Sequence, residues 1–117
     1  MENRTGGKQN MIHTSINKAC GLTFYIAKDD ETNIEARSIV SKEKAIVILD
    51  RKLSNVEYKA SIFNEKTGEW ITSEFEGNCF LGNKEDRKIY TDELQVELVL
   101  ADLNKNSKDY FVYNEQT

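Results

Sequence analysis

Val56-Glu57-Tyr58-Lys59-Ala60-Ser61-Ile62-Phe63-Asn64-Glu65-Lys66-Thr67-Gly68-Glu69-Trp70-Ile71-Thr72-Ser73-Glu74-Phe75-Glu76 is the stretch that decides the fold. Side chains alternate across a strand with a period of two. Val56, Tyr58, Ala60 and Ile62 therefore share one face, and Ile71, Ser73 and Phe75 share one face after the interruption at Glu65 to Gly68. Gly68 is placed to take the left-handed backbone that closes a four-residue hairpin loop, which sets Asn64 opposite Glu69. Counting back, Phe63 meets Trp70, Ile62 meets Ile71, Ala60 meets Ser73, Lys59 meets Glu74 and Tyr58 meets Phe75. A loop shorter by one residue would mix apolar and charged side chains on both faces. In the preferred register Tyr58, Ala60, Ile62, Ile71 and Phe75 form the core face, while Phe63, Trp70, Lys59 and Glu74 share the other.

Outward from this hairpin, the upstream chain reads the same way. Leu22, Phe24 and Ile26 alternate with Thr23, Tyr25 and Ala27, and a turn at Asp29 to Asn33 leads to a second strand from Ile34 to Val40. Order is expected to begin at Ile12 and Ile16, after a polar segment, 1–10, that has no period of either kind and reads as an N-terminal tail. The five apolar residues Ala45 to Leu49 suit a strand buried on both faces. Downstream, Leu94, Val96, Leu98 and Leu100 alternate as a strand should, but Val96, Val99, Leu100 and Leu103 also fall at helical spacing behind a capping Thr91 or Asp92. The strand is preferred, because the turn residues of 104–109 and a further strand Tyr110 to Tyr113 would complete a closing hairpin.

Short strands at such intervals predict an all-β chain, a small antiparallel β-sandwich or partly open barrel. The alternative is an α+β fold with one helix near 92–104. At 117 residues, 38% hydrophobic and 31% charged, the chain is expected to form a single β-rich domain over 11–117 with one core.

Charge and chemistry narrow the function classes. Sixteen Lys and Arg against 20 Asp and Glu leave a net charge of -4, which argues against a nucleic-acid partner. No apolar run is long enough for a membrane span, so a cytoplasmic protein is expected. Cys20 and Cys79 form no Cys-x-x-Cys motif and read as free thiols. The single histidine, His13, has no nucleophile or carboxylate at a recognisable spacing, and no glycine pattern cradles a phosphate, so no catalytic residues, cofactor or metal are assigned. Asp29, Asp30, Glu31, Asn33 and Glu35 match no calcium-loop spacing and read as a solvated hairpin tip.

The aromatic pair Phe63 and Trp70, rimmed by Lys59 and Glu74, resembles an interface anchor. The function expected is therefore a non-enzymatic protein that binds another protein by surface complementarity, as an inhibitor or adaptor. The alternatives are a structural subunit of a homo-oligomeric assembly, an acidic decoy and a carbohydrate-binding module.

Overall fold

A computed structural model of the chain describes residues 11–76, 78–105 and 108–115; the expected N-terminal tail 1–10 lies outside the described residues. The chain is β-rich and divides into two compact units, Met1–Glu57 and Tyr58–Thr117. Each unit holds its own cluster of buried side chains, where composition alone suggested one core.

In the first unit, β1 (Ile12–Ala19), β2 (Leu22–Asp29) and β3 (Glu35–Ser38) form an antiparallel sheet in chain order. The expected β2–β3 hairpin is present. Its tip is closed by Asp29, whose carboxylate accepts from the backbone N–H and the hydroxyl of Thr32, and Asn33 takes φ 64°. The β1–β2 hairpin turns on Cys20 and Gly21, with φ of 54° and 75°, the positive pair that a two-residue turn matched to strand twist requires.

The run Ala45 to Leu49 is not a strand. It lies inside helix α1 (Lys42–Leu53), which packs on β2 and β3. The Ser41 hydroxyl accepts from the Lys44 N–H at 3.0 Å, Glu43 sits in the first turn and Arg51 and Lys52 in the last, all favourable to the helix dipole. At the other end Asn55 takes φ 59°, and the N–H groups of Asn55 and Val56 donate to the carbonyls of Lys52 and Arg51, a Schellman termination. A five-residue apolar run carries no period of its own, so the caps decide. Ala45, Ile48 and Leu49 then form one stripe, buried with Ala27 and Ala36.

In the second unit, β4 (Ala60–Asn64), β5 (Glu69–Phe75), β6 (Asn78–Gly82) and β7 (Tyr110–Asn114) make an antiparallel sheet ordered β6-β5-β4-β7. The stretch 94–101 is also helical: α2 (Glu93–Leu103) is capped by Asp92, whose carboxylate accepts from the Leu94 N–H. The helical spacing of Val96, Val99, Leu100 and Leu103 is the one used, against Ile62, Ile71 and Tyr90. Tyr110 to Tyr113 is a strand as expected, but it pairs with β4, because its expected hairpin partner is α2. The outcome is two open sheets, neither closed into a barrel, with two helices where an all-β chain was expected. No helix among the described residues is long and apolar enough to cross a membrane.

The deciding hairpin keeps its register only near the turn. Phe63 pairs with Trp70 and Asn64 with Glu69, and Gly68, at φ 75°, donates its N–H to the Asn64 carbonyl at 2.8 Å. Beyond Ile71 the two strands part. β5 carries one extra residue between Ile71 and Ser73 opposite consecutive Leu81 and Phe80, and such a bulge bends the strand and reverses its face parity. Phe75, expected in the core, is 64% exposed. Ala60 pairs with Tyr90 in place of Ser73, each donating its N–H to the other's carbonyl at 3.0 and 2.7 Å. Lys59 and Glu74 are consequently not cross-strand partners; Glu74 pairs with Cys79 on β6.

Left-handed backbone at a residue with a Cβ other than Asn or Asp is disfavoured, so Cys20→Asn is expected to stabilise the first hairpin by about 1 kcal/mol. Urea unfolding of wild type and variant measures this, and a loss of stability would contradict the turn assignment.

Candidate functional site

The sheet of the second unit has α2 against the face of Ile62 and Ile71; the opposite face gathers aromatic rings. Because Phe63 is in register with both Trp70 and Phe111, three adjacent strands deliver rings to one place. The Phe63 and Trp70 centroids are 5.2 Å apart with planes tilted by 39°. Phe63 and Phe111 are 6.1 Å apart, and Tyr113 meets Trp70 edge-on at 5.5 Å. Phe63 and Trp70 are half-buried, and Phe111 and Tyr113 are 43% and 44% exposed. Such tilted and edge-on contacts are the favoured geometries between rings.

Two cations lie over this cluster. Lys84 Nζ is 5.7 Å from the centroids of both Trp70 and Tyr113, and Arg87 Cζ is 5.9 Å from that of Trp70, within cation–π range. Both belong to a short 3₁₀ turn, Lys84–Asp86, and the residue after it. Arg87 is locked in place. Its Nε and Nη2 donate to the two oxygens of Glu115 at 2.5 and 2.8 Å, and its Nη1 donates to the Lys84 carbonyl at 2.9 Å. Ser61 Oγ donates to Glu115 at 2.5 Å. The Arg87 guanidinium, opposed by burial and helped by the Ser61 hydroxyl, holds the Glu115 carboxyl down to about 2. A planar fork on a carboxylate is the geometry that fixes an arginine most firmly.

Of the four residues read from sequence as a binding rim, the structure brings Phe63 and Trp70 together and carries Glu74 to the opposite face. Lys59 lies just before β4, exposed, its carbonyl accepting from the Glu115 N–H at 2.9 Å. Glu74 has been carried by the bulge to the face of Cys79, where it accepts from Tyr90 Oη and from Lys88 Nζ at 3.1 Å. The residues that sequence reasoning missed are Phe111, Tyr113, Lys84, Arg87, Ser61 and Glu115. Phe111 and Tyr113 share a strand parity and were legible as a pair. The Arg87–Glu115 contact joins positions 28 apart in sequence and leaves no local signal.

The polar group around Glu74 is built for rigidity. Burial raises the Glu74 pKa, but the Tyr90 and Lys88 hydrogen bonds and the Lys88 charge outweigh it and leave the carboxyl below its ordinary value. Burial and the Glu74 hydrogen bond push the Tyr90 phenol far up, and burial, then Glu74 and Asp102, push the Cys79 thiol up. These shifts move the phenol and the thiol away from the ionised forms that act as nucleophiles or bases. In the first unit, His13 Nε2 meets Asp30 at 2.5 Å on an exposed strand end. Among the described residues, no group of three or more His, Cys, Asp or Glu side chains could hold a metal ion. No family model, no curated protein and no solved structure matches this chain.

The Glu115 pair predicts an acid limit. A carboxylate whose folded pKa lies near 2, below its ordinary 4.5, contributes stability that is fully present above pH 4.5 and is lost as the pH falls toward 2. Urea midpoints taken across that window should drop in wild type and drop less steeply in Glu115→Gln. Equal slopes in the two proteins would refute the assignment.

Proposed function

We propose that this chain is a non-enzymatic binding module that holds another protein against the aromatic face of Phe63, Trp70, Phe111 and Tyr113. The observation that carries this reading is the convergence of four partly exposed rings from three adjacent strands under two cations, one of them locked by Glu115. Aromatic and arginine side chains in a preorganised cluster are the groups that dominate protein interfaces. The rigidity supports the reading further, since groups already fixed lose little freedom on binding.

Geometry and charge favour a protein over other ligands. A sugar ring or a nucleobase stacks on an open ring face, whereas the rings here meet at tilted and edge-on angles and Lys84 and Arg87 lie over Trp70. The unit Tyr58–Thr117 has 7 Lys and Arg against 12 Asp and Glu, a balance of -5, which opposes a polyanion as partner. The reading places the protein in the reducing cytosol, with Cys20 and Cys79 both free.

Trp70 is the only tryptophan of the chain and therefore the natural probe. For a partner isolated by pull-down with the full chain, Trp70→Ala should weaken binding by about 30-fold or more, the size of effect expected at an interface anchor. The same substitution should lower stability by less than the roughly 3–5 kcal/mol that follows deletion of a fully buried aromatic. Titration calorimetry and urea unfolding test the two halves. Unchanged affinity in a folded variant would overturn the proposal.

A further inference from the structure

We draw no further inference here: the strongest candidate, the exposed apolar patch that Phe75 and Phe80 form on β5 and β6, carries nothing because it continues the aromatic face already described and nothing in the structure shows what covers it.

Discussion

The paired hydrogen bonds between Ala60 and Tyr90 organise the second unit. They place an extended segment, 88–90, beside the start of β4, where the hairpin partner β5 would otherwise run, and the Lys88 N–H reaches the Ile71 carbonyl at 2.8 Å to tie the same segment to β5. The extra residue after Ile71 bends β5 away and makes that insertion possible. Tyr90 then serves three purposes at once: its backbone completes the ladder, its ring joins the buried cluster with Ile62, Ile71 and Val96, and its hydroxyl donates to Glu74. Breaking a strand pair inside a domain leaves backbone groups unsatisfied, and the segment supplies the groups that the parted strand took away.

The candidate site depends on the same insertion. Arg87 stands one residue before Lys88, so fixing Lys88 and Tyr90 fixes where the guanidinium starts. Glu115, one residue beyond β7 and tied to Lys59 through the backbone, fixes where it ends. Between them the guanidinium can only lie across the rings of the sheet. Lys84 follows because its carbonyl accepts from Arg87. The electrostatic order of the face therefore comes from two backbone anchors on opposite sides of β4, and the aromatic rings supply the surface those anchors hold the charges against.

Two polar clusters divide the sheet by face. Glu115 with Arg87 and Ser61 belongs to the aromatic face, where the carboxylate is held by a planar guanidinium fork. Glu74 with Tyr90 and Lys88 belongs to the face of α2, where a carboxylate close to the core must be hydrogen-bonded to be tolerated. A single inserted residue in β5 separates these clusters, since without it Glu74 would lie on the aromatic face.

What the sequence determined by itself is local. The turn at Asn64 to Gly68, the pairing of Phe63 with Trp70, the turn at Asp29 to Asn33 and a strand at Tyr110 to Tyr113 all follow from turn chemistry and alternation, which act over a few residues. The end signals of α1, Ser41 and Asn55, were also present, but the apolar run between them has no period and was read as a strand. The alternation of Leu94, Val96, Leu98 and Leu100 likewise concealed a helix, because both periods fit those positions and only burial against Ile62 and Ile71 selects one. The tertiary structure decided everything that joins distant segments: β7 beside β4, Tyr90 beside Ala60, and Arg87 on Glu115. Glu74, read from sequence as part of the rim, moved for the same reason. Counting residues along two strands assumes that they stay paired, and whether they do depends on a third segment competing for the same hydrogen bonds, which no pattern within the hairpin encodes.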